Sequence, residues 1–119
     1  MTIAAPKATK TLQVLLVDDN PIQLSLLHHL FQRHGHTTLE AKNGAEALIV
    51  LATECPDVVV SDCVMPLLDG YQLCRLLKDD RATRNLPVLL LTAQGVGLAR
   101  FWAKTCGADR FLVKGRDLD

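Results

Sequence analysis

Apolar runs and amphipathic stretches alternate along this chain. Leu12-Gln13-Val14-Leu15-Leu16-Val17 is a near-continuous β-prone run that stops at Asp18-Asp19-Asn20-Pro21. From Pro21 the period changes. Ile22, Leu26, Leu27, Leu30 and Phe31 recur at helical spacing, with Asn20 placed as the N-cap and Pro21 at the first helical position. Gly35 ends that helix, and Thr37-Thr38-Leu39-Glu40-Ala41 is a weakly apolar strand suited to a sheet edge. Asn43-Gly44 opens a second helix with Ala47, Leu48 and Leu51 as its inner face. Val58-Val59-Val60 is a buried strand ending at Ser61-Asp62; after the loop from Cys63 to Asp69, Tyr71, Leu73, Cys74, Leu76 and Leu77 trace a third helix. Pro87-Val88-Leu89-Leu90-Leu91 is a strand that stops at Thr92. Gly95 and Gly97 weaken the start of the fourth helix, which firms up around Leu98 and runs to Cys106 with Gly107 as its cap. Arg110-Phe111-Leu112-Val113 is the fifth strand, ending at Lys114.

Strands and helices in strict alternation predict an α/β domain, a parallel sheet with helices on both faces. Uninterrupted apolar runs, rather than period-two alternation, are what strands buried on both faces require. Right-handed crossovers then give a doubly wound five-stranded sheet of order 2-1-3-4-5. Only Gly115 to Asp119 follow the fifth strand, so the final helix expected on that side is missing or truncated in this chain, its cover left to a longer chain or a partner. Residues 1–11 read as a mobile, Ala/Thr-rich leader without the apolar block of a signal peptide, and residues 12–119 as one domain. A chain of this length buries roughly 65% of its unfolded surface, enough for a core without staples.

The polar residues fall at informative places. In an open parallel sheet the functional crevice lies at the carboxyl ends of the strands. Asp18 and Asp19 follow the first strand, Asp62 the third, Thr92 the fourth and Lys114 the fifth. Strands 1 and 3 are neighbours in the expected order, so three carboxylates share one small space. Their repulsion raises at least one pKa unless a cation intervenes. An all-oxygen, anionic ligand set with room for water suits Mg²⁺ better than Zn²⁺. With an ammonium and a hydroxyl on the same rim, this is the equipment of phosphoryl transfer.

Composition narrows the field. Thirteen Lys and Arg balance thirteen Asp and Glu, and aromatics make up 4%. That excludes a strong electrostatic footprint for nucleic acid or an anionic membrane, and a stacking platform for single strands. Apolar runs are far short of the roughly 20 residues that span a bilayer. Cys55, Cys63, Cys74 and Cys106 lack metal-ligand or redox spacing and read as reduced, mostly buried thiols of a cytoplasmic protein. His28, His29, His34 and His36 read as solvated or partly packed. For Phe101-Trp102 core packing is the default expectation, with one ring on a partner or dimer surface as the sharper one. Phosphate-binding P-loop, dinucleotide and nucleophile-elbow motifs are absent from the sequence.

Over Leu12 to Gly115 the sequence resembles the receiver domain of two-component response regulators. Asp62-Cys63-Val64-Met65-Pro66-Leu67-Leu68-Asp69-Gly70 matches that family's D-x-x-M-P-x-x-D-G loop at every fixed position. Val17-Asp18-Asp19-Asn20 matches its acidic pair, Leu91-Thr92-Ala93 its hydroxyl, and Cys106-Gly107-Ala108-Asp109 its G-A-D segment. The resemblance implies a flavodoxin-like fold and a phosphorylation-driven switch rather than an enzyme acting on a free substrate. It implies Asp62 as phosphoacceptor from a sensor histidine kinase or histidine phosphotransfer protein. Mg²⁺ is held by Asp18, Asp19, Asp62 and the backbone carbonyl of Val64. Lys114 pairs with a phosphoryl oxygen; Thr92 moves to hydrogen-bond the phosphate, and Phe111 changes rotamer in response. A downstream output domain and a homodimer are further partners the resemblance suggests.

Departures from the family pattern carry their own expectations. Gly115 replaces the usual proline after the lysine and leaves Lys114 less firmly placed. Phe111 lacks the hydroxyl of a tyrosine, so its switching rests on packing. Val64 and Gln94 stand where relatives govern water access, and the branched apolar Val64 is expected to slow hydrolysis of the acyl phosphate. Two competing readings remain at this point. A degenerate receiver acting only as a protein-interaction module is opposed by the acidic trio and kept alive by Gly115. A phosphatase with a phospho-aspartate intermediate calls for an Asp-x-Asp motif after the first strand and a substrate cap, and neither is visible.

Overall fold

The computed structural model describes residues 10–93 and 98–114. Its elements run β1 (Gln13–Val17), α1 (Pro21–Arg33), β2 (Thr37–Ala41), α2 (Gly44–Leu51), β3 (Val58–Asp62), α3 (Gly70–Asp79), β4 (Val88–Thr92), α4 (Leu98–Thr105) and β5 (Arg110–Val113). All neighbouring strands are parallel, in the order β2-β1-β3-β4-β5, as the alternation predicts.

Period-two alternation of side chains splits each strand between the two faces. Leu15, Val17, Val59, Val88 and Leu90 face a core shared with Ala47, Leu73, Cys74, Leu77, Ala103 and Cys106, so α2, α3 and α4 cover that side. Val14, Leu16, Val60 and Leu91 face the other side, where Leu24 and Leu27 of α1 pack. Among the described residues α1 is the only helix there. The predicted punctuation holds: Asn20 Oδ1 accepts from the backbone of Ile22 and Gln23, Asn43 caps α2, and Gly35 and Gly107 take positive φ after α1 and α4.

The helix faces are where sequence and structure part. Ile22 and Leu26 are exposed, and Leu24, which the spacing left out, is buried. Residues two apart on a helix lie about 200° apart, so a stripe through Leu24 and Leu27 turns Ile22 and Leu26 outward. For the same reason Leu48 and Leu76 stand at the margin, beside buried Ala47 and Leu77. Core packing of Phe101-Trp102 is overturned. Ala103 and Cys106 take the inner stripe of α4, leaving Phe101 56% and Trp102 48% exposed, their rings edge to face at 5.3 Å. Cys63, Cys74 and Cys106 are buried and Cys55 exposed, all as free thiols. Two of the histidines are partly packed, His28 Nδ1 lying 2.6 Å from Thr38 Oγ1 and His36 Nδ1 accepting from Leu12 N, and His29 and His34 are exposed. The leader before residue 10, Gln94, Gly95, Gly97 and the residues after Lys114, Gly115 among them, lie outside the described part.

Candidate functional site at the carboxyl rim of the sheet

The rim is built by backbone rules acting at strand ends. Beyond Val17 the ladder continues for one step, Asp18 N donating to Ala41 O at 3.1 Å, which carries the Asp18 side chain into the sheet's edge with 1% exposure. Asp18 Oδ1 accepts from Asn20 N at 3.0 Å, closing the turn that starts α1 and leaving Asp19 in solvent. Asp62 is the last residue of β3. Its Oδ1 accepts from Cys63 N at 3.0 Å, and Cys63 O in turn accepts from Gly70 N at 3.0 Å. The first residue of α3 is therefore bonded to the residue just past β3. A Cβ at Gly70 would run into the Asp62 carbonyl oxygen, so only glycine fits at that point. Asp69 caps α3 through a reciprocal pair with Gln72. Leu67, in between, is held at φ 69°, a left-handed conformation that costs a leucine roughly 1 kcal/mol.

Three carboxylates converge. One oxygen each from Asp18, Asp19 and Asp62 lies within 4.8 Å of the other two. Lys114, just past β5, brings its Nζ to 3.2 Å from Asp62 Oδ1 and 3.5 Å from Asp18 Oδ2. One ammonium faces three anions, so negative charge is in surplus. Burial raises the Asp62 carboxyl above its ordinary range; Lys114 opposes this, and the charge of Asp18 reinforces it. The donor set fits a hard divalent cation: only oxygens, mostly anionic, with exposed Asp19 leaving room for water ligands. Burial also pushes the neighbouring Cys63 thiol up to about 11 against a hydrogen bond with Tyr71, so it is a neutral S–H at physiological pH.

The other predicted positions distribute as follows. Thr92 ends β4, buried, in register with Val113, and its carbonyl accepts from Lys114 N at 2.8 Å. This bond ties the hydroxyl-bearing strand end to the lysine. Val64 lies on the loop after β3 with its side chain in solvent. Phe111 sits on β5, away from the carboxylates, half-buried, with the Arg100 guanidinium 5.4 Å from its ring centre. Lys78 escaped the sequence reading. Its ammonium bonds Asp109 Oδ2 and Leu86 O at 2.8 Å each and Arg84 O at 3.3 Å, while Asp109 Oδ2 also accepts from Val88 N. The available signal was its place four residues after Cys74, on the buried face of α3.

Comparison with known proteins gives the family and agrees with the fold. The sequence profile of the response regulator receiver domain matches residues 14–119. The chain is 37% identical to the Pseudomonas aeruginosa protein PilH over 105 residues, 88% of this chain and 87% of PilH. It is 38% identical to the gliding motility regulatory protein of Myxococcus xanthus over 91% of this chain and 36% identical to the response regulator PleD of Caulobacter vibrioides over 88%. It spans only 14% and 23% of those two proteins. Among solved structures, the receiver domain of a signal transduction histidine kinase from Syntrophus aciditrophicus superposes with a TM-score of 0.83 at 38% identity, covering 88% of this chain and 80% of that one. The receiver domain of a sensor histidine kinase from Pseudomonas aeruginosa, solved with a magnesium ion in its active site cleft, gives 0.81 at 25% identity over 89% and 87%. The chain belongs to the response regulator receiver domain family of two-component systems. Its flavodoxin-like sheet is the fold of that family's solved members.

Proposed function

We propose that residues 12–119 form a phosphorylation-dependent switch in which Asp62 accepts a phosphoryl group from a phosphohistidine on a sensor histidine kinase or histidine phosphotransfer protein. The supporting observation is the convergence of Asp18, Asp19 and Asp62 on one point with Lys114 Nζ 3.2 Å from Asp62. A carboxylate oxygen of Asp62 attacks phosphorus. The P–N bond breaks, and its electron pair returns to the imidazole. Asp62 is prepared by the Cys63 N–H, which holds Oδ1 and fixes the carboxylate's rotation. Lys114 offers its ammonium to a phosphoryl oxygen once Asp62 carries the acyl phosphate and its own charge has moved outward. Mg²⁺, held by Asp18, Asp19, Asp62 and the carbonyl of Val64, would neutralise charge on the transferring phosphoryl group. Thr92 then donates its hydroxyl to the phosphoryl group, and Phe111 repacks on β5, changing the α4–β5 surface read by an output domain or by a second copy. The four free thiols suit a reducing cytoplasm.

The test is chemical. Incubation with acetyl phosphate and Mg²⁺ should add one phosphoryl group by intact-mass measurement, and Asp62→Asn should abolish it. Unchanged labelling of Asp62→Asn refutes the assignment. An intact, folded protein that takes no label would instead support a receiver that serves only as an interaction module.

A further inference from the structure

Helix α2 is apolar on every side and yet lies at the surface. Ala47, with the half-buried Val50 and Leu51, faces the core that α2 shares with β1, β2 and α3. The outward side carries Ala45, Leu48, Ile49 and, at the C-cap, Ala52. Their spacing of i, i+3, i+4 and i+7 gathers them into one stripe about 100° wide. All four are exposed, Ile49 at 71%. Leu76 of α3 is exposed too, and it lines with Leu48 a groove of about 700 Å³ between the two helices, so the apolar surface widens onto α3. The one charged side chain of α2, Glu46, is occupied at the helix start, where its carboxylate accepts from Lys42 N at 2.7 Å. A surface helix ordinarily turns its charges outward; this one turns none.

The order of the stripe and the charges at its ends say what covers it. From either end it runs small, large, large, small. A two-fold axis between Leu48 and Ile49 therefore lays the stripe on itself with the helices antiparallel. Ala45 then meets Ala52 of the second copy, Leu48 and Ile49 each meet their own equivalents, and the two Leu76 side chains flank the leucines. Lys42, just before the helix, arrives at the Glu54 end of the other copy, and the reverse. Both side chains are exposed, and among the described residues neither takes part in an ion pair. The arrangement also sets the positive N-terminus of each helix against the negative C-terminus of the other, whereas a parallel pairing brings Lys42 to Lys42 and Glu54 to Glu54. We propose that this face binds a second copy of the chain, the two α2 helices packing antiparallel about a two-fold axis. One short helix and a neighbouring leucine offer less than the roughly 800 Å² per partner of a standard interface, so the dimer is weak, on the micromolar scale. β2 and β5 are opposite edges of the sheet. The association therefore leaves the α4–β5 surface free and forms whatever the phosphorylation state of Asp62.

Sedimentation equilibrium of the full chain from about 10 μM to about 1 mM tests this. Without any phosphoryl donor, the weight-average mass should rise towards twice that of the chain. Saturating beryllofluoride with Mg²⁺ should move the dissociation constant by less than about twofold. Ile49→Glu puts a charge on the stripe outside the core and should weaken the dimer more than about tenfold, with the circular dichroism spectrum and acetyl phosphate labelling unchanged. Lys42→Glu should weaken it about threefold or more, and adding Glu54→Lys should restore wild-type association. This charge exchange touches no packed side chain, so it decides the matter even where Ile49→Glu disturbs the fold. A chain that stays monomeric across the range overturns the proposal. So does a dimer that forms only with beryllofluoride, which belongs to α4 and β5. An unweakened dimer in folded Ile49→Glu, or a charge exchange that fails to restore association, overturns it as well.

Discussion

Two lysine–aspartate pairs in this domain use the same chemistry to opposite ends. Lys78 is saturated: one carboxylate and two carbonyls take its three hydrogens at 2.8, 2.8 and 3.3 Å. It stitches the end of α3 to the turn before β4 and to the residue before β5. Lys114 is stretched between two carboxylates at 3.2 and 3.5 Å, with a third close by. The aspartates register the difference. Burial works to raise the Asp109 carboxyl, but the bonds from Lys78 and from Val88 N outweigh it and hold it below the ordinary range. Asp62 is held above, by burial first and by the charge of Asp18 after it, because Lys114 does not outweigh them. A satisfied pair fastens; a pair with charge to spare can accept a guest. The lesson is that the same ion pair marks structure or site according to the count of its remaining partners.

That contrast can be broken in several ways. Lys114→Met should slow acetyl phosphate labelling by about a hundredfold, the scale of losing one charge-stabilising donor, while costing less stability than Lys78→Met, because exposed Asp19 keeps the carboxylate cleft open to water. Stopped labelling time courses and urea melts check the two halves. Lys78→Met should do the reverse, costing about 2 kcal/mol of stability because two carbonyls and a carboxylate lose their donor, with labelling retained. Equal damage to labelling from both variants would erase the distinction.

A smaller effect is expected with pH. The Asp109 carboxyl is depressed in the folded state, so its contribution is whole above the ordinary carboxylate value of about 4 and is lost as pH falls through the depressed value. Asp109→Asn should therefore flatten the acid limb of the stability profile, by no more than about 1 kcal/mol at so solvent-accessible a group. A limb as steep as wild type would show that the clamp is not charge-dependent. Smallest of all is Arg75–Asp79, a 3.6 Å pair with both side chains in solvent. Arg75→Gln should shift the urea midpoint by the equivalent of less than about 0.5 kcal/mol.

The sheet and the rim were legible in the sequence because both depend on where apolar runs stop. Val17, Val60 and Val113 each hand over to a polar residue at a strand's carboxyl end, and parallel topology gathers those ends. Helix faces were less legible. Helix α1 carries Ile22, Leu24, Leu26 and Leu27, and only packing chooses which pair turns inward. The Phe101-Trp102 pair misled for a related reason: the small Ala103 and Cys106 claimed the inner stripe, which large rings could not share. Lys78 was invisible because its carboxylate partner lies 31 residues on, and a helical lysine read alone looks solvated.

The missing side chain at Gly70 sets the limits within which this domain can be re-engineered. The floor under Asp62 is bare backbone, and every other residue type would lift it. The loop tip above, where Val64 points into water, has no such restriction. The tip therefore tolerates ordinary substitution at Val64, whereas attempts to reshape the floor would dislodge Asp62 itself.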